Sequence, residues 1–337
     1  MRNAIRWILA ALSVAGFSSV LHAEDFYKGK QLKLIVGTDA GGSYDMAGRL
    51  IGRHITRHIP GAPNLVVQNM PGASSLNAMN YIYNIAPQDG TILGVVVQLV
   101  PQYYLFKEPA VRYDASKINW IGNFNSSVSV YAVSSNVVIN DLSEIFQKPI
   151  MFGASNRTGS GGADILLTNN VLGTKFELIT GYKGGADIDL AIERGEVQGR
   201  AAQSWDGWKS TRPDWVRDGK IKALMQVGLK RDPELPNVPL ITELAKTDEQ
   251  KAILNLFSST VAFGRPLVAG PGVPRDRVEI LRKAFAAMVK DPQFIKDAKT
   301  NNFDVSPVLG ADLQRIVKEM LEVPEETVKK AQQAMSN

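Results

Sequence analysis

Short apolar runs alternate with helical patterns of apolar residues along most of the chain. The runs Leu32–Val36, Leu65–Val67 and Thr91–Gln98 are typical of buried strands, and the segments between them place apolar residues three or four positions apart. This order of strand, helix, strand, helix, strand predicts a parallel βαβαβ unit with right-handed connections. The same order returns between Ile150 and Ala201, which predicts a second unit of the same design.

The rest of the pattern extends this α/β architecture over two domains, as the length of 337 residues also suggests. The segment Asp232–Pro239 contains three prolines and is therefore predicted to be a loop. Further strands are predicted at Ile118–Phe124, Val128–Val133, Ile221–Val227 and Leu267–Ala269. The predicted domain limits are 24–123 with 229–300 for domain I, 124–228 for domain II, and 301–337 for a C-terminal helical segment that packs across both.

Each predicted unit has a glycine-rich turn between its first strand and its first helix. Gly41 and Gly42 form the first turn, and the loop Ala154–Gly162 forms the second. A helix that begins at such a turn directs unpaired N–H groups and the positive end of its dipole toward one point, which suits a carboxylate or phosphate. An ordinary βα turn uses the same residues, and the repetition favours the binding interpretation.

The first 23 residues have the pattern of a secretory signal peptide. Arg2 and Arg6 precede the apolar run Trp7–Leu21, and the small residue Ala23 follows. The run is shorter than the 20 or so residues that a membrane span needs. We predict cleavage after Ala23 and a mature protein in the periplasm, with an uncleaved anchor as the alternative.

Composition and charge exclude several classes of protein. Removal of Arg2 and Arg6 leaves 36 of the 38 basic residues against 33 acidic ones, and this small excess does not predict nucleic-acid binding. The chain has no cysteine, so it has no disulfide, no thiolate metal site and no cysteine nucleophile.

The sequence carries no strong signature of an enzyme or a metal site. The run Gly159–Asp164 begins like a dinucleotide fingerprint but has aspartate where a small residue is required. His54 and His58 are four residues apart, with no acidic third ligand beside them, so packing is favoured over metal binding. A Ser–His–Asp triad is disfavoured, whereas a serine–lysine dyad stays open. We predict a protein that is not an enzyme and that has no cofactor and no metal.

A ligand-binding cleft accounts better for the polar residues. Two βαβ domains can face their glycine-rich turns across one crevice, with backbone N–H groups as donors. Arg157 and Arg200 are candidates to pair with a carboxylate, although each can equally be a solvated surface residue. Trp208 can line the pocket or pack in the core. The candidate ligand residues are Gly41, Gly42, Ser43, Tyr44, Asp45, Gln98, Ser155, Asn156, Arg157, Thr158, Gly159, Ser160, Tyr182, Arg200 and Ser204.

Several short motifs occur in a fixed order: Leu34–Val36 followed by Gly41–Asp45, Gln68–Ala73, Pro87–Thr91, Gly181–Gly185, Glu193–Val197 and Val268–Pro274. Together they resemble the Bug family, the extracytoplasmic solute receptors of tripartite tricarboxylate transporters, over essentially the whole mature chain. The resemblance implies a two-domain periplasmic-binding-protein (Venus flytrap) fold, in which each domain is a mainly parallel sheet flanked by helices.

The resemblance also implies a function. The receptor would close on a small carboxylate, held by the loops Ala40–Asp45 and Ala154–Ser160 partly through ordered water, and deliver it to the large and small membrane components of a permease. Two departures leave the solute open: Asp39 lies in a run that is proline-rich in the family, and Arg157 enlarges the second loop. We predict a monomeric receptor, and the alternatives are a ligand-sensing partner of a membrane kinase or a periplasmic hydrolase.

Overall fold

A computed structural model describes residues 26–126, 128–157 and 160–336, and the chain divides into two compact units. Unit 1 comprises the residues up to Asn125 together with Arg265–Val317, and unit 2 comprises Ser126–Gly264 together with the residues from Lys318 onward. The predicted signal peptide, residues 1–23, lies outside the described residues. None of the described helices is long and apolar enough to cross a membrane.

The described residues form two mixed β-sheets with helices packed on them. The strands are β1 (Gln31–Val36), β2 (Asn64–Asn69), β3 (Ile92–Val95), β4 (Asn119–Asn123), β5 (Ser129–Ser134), β6 (Ile150–Ala154), β7 (Phe176–Thr180), β8 (Gly199–Ser204), β9 (Ile221–Val227), β10 (Leu267–Ala269) and β11 (Val308–Leu309). The α-helices are α1 (Ser43–Ile55), α2 (Leu76–Asn84), α3 (Val100–Leu105), α4 (Ser160–Leu172), α5 (Gly185–Glu193), α6 (Trp205–Thr211), α7 (Pro213–Arg217), α8 (Asp248–Ser259), α9 (Arg275–Met288), α10 (Pro292–Thr300), α11 (Gly310–Leu321) and α12 (Glu325–Ser336).

Unit 1 contains a six-stranded sheet in the order β11-β4-β10-β3-β1-β2. Strands β2 and β3 both pair parallel with β1, as the first predicted βαβαβ unit requires. Strand β10 is antiparallel to both β3 and β4. The carboxyl ends of β1, β2 and β3 therefore lie at one edge of the sheet, which we call the carboxyl edge of unit 1.

Apolar periodicity explains how the first strand and helix of unit 1 pack. Leu34 and Val36 on β1 and Leu50 and Ile51 on α1 are fully buried in one core cluster. A Cβ atom on Gly48 would lie 2.6 Å from Cγ2 of Val36, so the absence of a side chain at that position lets α1 approach the strand closely. The start of α1 is thereby fixed just beyond the carboxyl end of β1.

Unit 2 contains a five-stranded sheet in the order β7-β6-β8-β5-β9. Strands β7 and β8 pair parallel with β6, and β5 is antiparallel to both β8 and β9. A second core cluster, which includes Trp208 and Trp215, packs within this unit. The carboxyl ends of β6, β7 and β8 define the carboxyl edge of unit 2.

The predicted α/β class with two sheets flanked by helices is confirmed, and the sheets are mixed rather than mainly parallel. The reason lies in the strands outside the two βαβαβ units, which pair antiparallel: β4, β10 and β11 in unit 1, and β5 and β9 in unit 2. Each sheet adds these strands in antiparallel pairs beside its parallel βαβαβ core.

The compact units differ from the predicted domains over residues 229–264, which belong to unit 2. The chain re-enters unit 1 at Arg265, whereas the sequence placed a crossing segment near Gly228. The C-terminal segment is divided at Val317 between the two units. The predicted domain limits therefore stay a prediction.

Candidate functional site

The turn between β1 and α1 leaves backbone donors exposed at the carboxyl edge of unit 1. Helix α1 has Gly42 as its N-cap, with no side-chain hydrogen bond to cap it, and Gly41, Gly42 and Ser43 are exposed. Among the described residues, the amides of Gly42 and Ser43 have no hydrogen-bond acceptor. The positive end of the helix dipole and two free donors therefore meet at this turn.

The two glycines of this turn have different backbone conformations. Gly41 has a φ of +84°, a conformation that favours glycine, whereas Gly42 has a φ of −79° and a ψ of 171°, which any residue adopts. A Cβ atom at Gly41 would have no heavy atom within 4 Å, and one at Gly42 would meet only the Asp39 carbonyl oxygen at 3.8 Å. The space above the turn is open, and the positive φ lies at Gly41 rather than at Gly42.

Asp45, a predicted ligand residue, is buried beneath the turn and holds it in place. Its carboxylate accepts hydrogen bonds from the Gly41 amide at 2.8 Å, from Nε of Arg49 at 2.9 Å and from Nδ2 of Asn69 at 3.0 Å. Burial alone would raise the pKa of Asp45, but these hydrogen bonds and the Arg49 charge lower it to about 2. Asp45 therefore stabilises the turn itself, and its predicted contact with a ligand stays a prediction.

Two further loops meet the first one at the carboxyl edge of unit 1. Ser75, in the loop between β2 and α2, donates its hydroxyl to the Gly37 carbonyl at 2.9 Å and accepts the Val97 amide at 3.3 Å. It ends a run of three non-glycine residues with positive φ, from Ala73 at 46° to Ser75 at 69°. Backbone strain of this kind is concentrated at functional sites.

The structure brings Tyr44 and Gln98, both predicted ligand residues, into direct contact. The Gln98 amide, beyond the end of β3, donates to the Tyr44 hydroxyl at 3.3 Å. Burial raises the pKa of Tyr44, so its hydroxyl stays protonated at neutral pH.

Arg265, which was not among the predicted ligand residues, also lies at the carboxyl edge of unit 1. Its Cζ atom is 4.9 Å from the ring centroid of Phe303 and 5.7 Å from that of Tyr44, and its side chain is half-buried. Its amide donates to Oδ1 of Asn123 at 3.0 Å, and its guanidinium donates to Oδ1 of Asn125. Arg265 lies two residues before β10, and that position could have marked it as a candidate. The antiparallel pairing that brings it to this edge depends on strands distant in sequence, which the local pattern does not predict.

In unit 2, the loop after β6 presents exposed polar residues at the carboxyl edge. Ser155, Asn156, Arg157 and Ser160 are exposed, and the candidates Thr158 and Gly159 lie outside the described residues. The Ser155 carbonyl accepts the Gly181 amide at 3.2 Å. This bond ties the loop to the segment that carries Tyr182, another predicted ligand residue, which is half-buried against the unit 2 core.

Arg200 is buried rather than solvated, and its charge is balanced within unit 2. Its Nε atom lies 3.0 Å from Oδ1 of Asp189, although the N–H does not point at that oxygen, and its Cζ atom lies 4.5 Å from the Trp208 ring centroid. Oδ2 of Asp189 also pairs with Nε of Arg212 at 3.2 Å. Burial raises the pKa of Asp189 and lowers that of Arg200, and their mutual attraction opposes both shifts. A ligand role for Arg200 stays a prediction.

Three further features of unit 2 are a helix cap, a strained residue and a buried carboxyl group. The Ser204 hydroxyl accepts the Gly207 amide at 3.2 Å and so caps α6, and its ligand role stays a prediction. Ala202 has a φ of +60° at a bulge between β8 and β5. Asp164, in the first turns of α4, is buried, and the burial raises its pKa to about 8.

The two histidines bind different aspartates in unit 1. Nε2 of His54 lies 2.8 Å from Oδ2 of Asp297, and Nε2 of His58 lies 3.2 Å from Oδ2 of Asp291. No group of three or more possible metal ligands occurs within residues 26–126, 128–157 and 160–336. His54 on α1 and His58 in the turn that follows it therefore link this part of unit 1 to α10 and its N-cap, Asp291.

The chain is similar to known proteins over most of its length. Residues 55–332 match the family model described as the tripartite tricarboxylate transporter family receptor. A protein of Cupriavidus necator, named UPF0065 protein in gbd 5'region, is 27% identical over 321 residues, which cover 91% of this chain and 88% of the relative. A second relative, the UPF0065 protein in the tcbD-tcbE intergenic region of Pseudomonas sp. (strain P51), is 24% identical over 307 residues, covering 87% of this chain and 84% of the relative.

Solved structures share the fold. A TctC solute-binding protein from Polaromonas has a TM-score of 0.71 at 18% identity, covering 90% of this chain and 99% of the other. The malate-bound protein MatC of Rhodopseudomonas palustris has a TM-score of 0.59 at 18% identity, covering 89% and 99% of the two chains. An R. palustris protein with adipate has a TM-score of 0.60 at 20% identity, covering 90% and 97%.

The predicted two-domain solute-binding-protein fold is thus confirmed, and the matched family is one of receptors rather than enzymes. The family match spans well over half of the residues, and it includes the second glycine-rich loop but begins after the first. The chain belongs to the tripartite tricarboxylate transporter receptor family.

Proposed function

We propose that this receptor captures a small carboxylate in the periplasm and delivers it to the large and small membrane components of a tripartite tricarboxylate transporter. The observation that carries the proposal is the start of α1, where an uncapped helix N-terminus and two unpaired amides face open space. Solved relatives of the same fold carry malate and adipate, which supports a carboxylate as the ligand class.

Recognition at this turn would rest on the backbone. The amides of Gly42 and Ser43 would donate to one carboxylate group, and the α1 dipole would favour its negative charge. Asp45 lies below the turn and keeps Gly41 in place, and its negative charge is already paired with Arg49. The turn is therefore prepared before the ligand arrives, which lowers the entropic cost of binding.

The first experiment is a thermal-shift screen of the mature protein with mono-, di- and tricarboxylates, including malate and adipate, beside the corresponding amides. A carboxylate at 100 times its dissociation constant should add about 2.7 kcal/mol to the free energy of unfolding. The amides should shift the melting temperature far less. Stabilisation by amides and carboxylates alike, or by neither, would contradict the proposal.

Delivery to a permease needs a separate measurement. Cells that lack this receptor should lose uptake of the radiolabelled carboxylate found in the screen, and a plasmid copy should restore it. Unchanged uptake with loss of a transcriptional response to the same compound would favour the ligand-sensing alternative instead.

A further inference from the structure

We propose that Arg265 is the positively charged partner of the ligand's carboxylate in unit 1. This inference rests on the proposed function. It gives the role of cationic ligand residue to Arg265 instead of to Arg157 or Arg200, the two arginines that the sequence predicts. Three observations carry it: the place of Arg265 in the sheet, the lack of an acidic partner, and the contacts that fix its side chain.

The antiparallel strand β10 places Arg265 at the carboxyl edge of unit 1. Leu267 pairs with Val95 at the carboxyl end of β3, and the Val96 amide donates to the Pro266 carbonyl at 3.4 Å. Residues just before β10 therefore lie where β1, β2 and β3 end. The ring of Tyr44, the second residue of α1, is 5.7 Å from Cζ of Arg265, so the guanidinium lies near the start of that helix.

The charge of Arg265 has no acidic counterpart in the part of unit 1 that the structure describes. Arg265 forms no ion pair with any Asp or Glu of the described residues. Arg200 differs, because Asp189 lies 3.0 Å from its Nε atom. A half-buried guanidinium without an acid is costly unless an anion arrives to pair with it.

Neutral contacts hold Arg265 in one position without cancelling its charge. Its guanidinium donates to Oδ1 of Asn125, whose own Nδ2 donates to the Asp304 carbonyl at 2.7 Å. The Phe303 ring supports one face of the guanidinium at 4.9 Å. A cation held in this way is preorganised, and a planar guanidinium suits the two oxygens of a carboxylate.

Arg277 provides a matched control in the same unit. Like Arg265, it is half-buried, packs on an aromatic ring (Phe26, 3.6 Å from its Cζ atom) and has a buried Nε without an acceptor among the described residues. Its guanidinium donates to the carbonyl of Asp89, which precedes β3 and so lies at the opposite edge of the sheet. Loss of Arg277 should disturb packing to a similar degree without reaching the proposed ligand.

The test compares wild type, Arg265→Gln and Arg277→Gln by calorimetric titration, after urea unfolding has shown each variant to be folded. The probes are malate, adipate and the diamide of each acid, which has no carboxylate. We expect Arg265→Gln to weaken binding of the acid at least about 30-fold and to reduce the preference for the acid over its diamide by a similar factor. Arg277→Gln should retain both the affinity and the preference.

The outcomes separate this inference from the proposed function. If wild type binds an acid and Arg265→Gln binds it with the same affinity and the same preference over the diamide, the inference is wrong while the proposed function stands. If both variants lose affinity equally, the effect is one of packing and the inference also fails. If wild type binds none of the probes in this titration or in the wider carboxylate screen, the proposed function fails and the inference with it.

Discussion

Replacing Gly42 with valine separates the folding role of the β1–α1 turn from its proposed binding role. The backbone at Gly42 has a φ of −79° and a ψ of 171°, which valine adopts readily, and a Cβ atom there would be 3.8 Å from its nearest neighbour, the Asp39 carbonyl oxygen. The expected folding cost is the loss of a favourable N-cap residue, about 1 kcal/mol or less.

The expected effect on binding is larger. The two γ-methyl groups of the new side chain would cover the amides of Gly42 and Ser43, where the carboxylate is proposed to lie. Loss of one hydrogen bond to a charged group costs about 1.5–3 kcal/mol. The dissociation constant should therefore rise about 10- to 150-fold.

Gly41→Ala is the complementary variant. Gly41 has a φ of +84°, so alanine should destabilise the fold by about 1–2 kcal/mol, whereas the Gly41 amide donates to Asp45 and is not offered to the ligand. Urea unfolding and calorimetric titration with the carboxylate found in the screen would measure both effects. A folded Gly42→Val variant that binds with wild-type affinity would show that the turn has no role in binding.

Three further predictions concern buried charges and use urea unfolding. The pKa of Asp45 is about 2 in the folded state, below its ordinary value of 3.8. Asp45 therefore adds about 2 kcal/mol to the free energy of unfolding above pH 4, and this contribution is lost as the pH falls toward 2. The Asp45→Asn variant should not show this loss of stability in acid. The pKa of Asp164 is raised to about 8, so stability should decrease as the pH rises from 4 to 8, and Asp164→Asn should be more stable than wild type at pH 8, with an unchanged pH slope as the contrary result. Either Asp189→Asn or Arg200→Gln should cost about 3–5 kcal/mol, and the double variant should cost less than the sum.

The regular elements of the fold were largely predictable from local patterns. Strands β9 and β10 have the bounds that their apolar runs predict, because turn-forming residues flank both runs. Helix α10, which begins at Pro292, was missed, since it is short and buries only Phe294 and Ala298. Strand β11 has two residues and exists only through its pairing with β4, so no periodicity could reveal it.

The candidate site was predictable only in its backbone. The glycine turn before α1 follows from the order of strand, glycine and helix, and the structure has it there. The roles of individual side chains depend on partners distant in sequence. Asp45 contacts Asn69, 24 residues away, and Arg265 contacts Asn125, 140 residues away. Periodicity carries no information on such pairs, which is why Arg200 was a ligand candidate and Arg265 was not.

The most direct test of the central claim is a titration of isotopically labelled protein followed by amide-resolved NMR. When the carboxylate from the thermal-shift screen is added, the amide protons of Gly42 and Ser43 and the Nε proton of Arg265 should shift saturably, with one dissociation constant equal to that from calorimetry. The Gly41 amide, which already donates to Asp45, should shift less. Saturable binding that leaves the Gly42 and Ser43 amides unmoved would contradict the account.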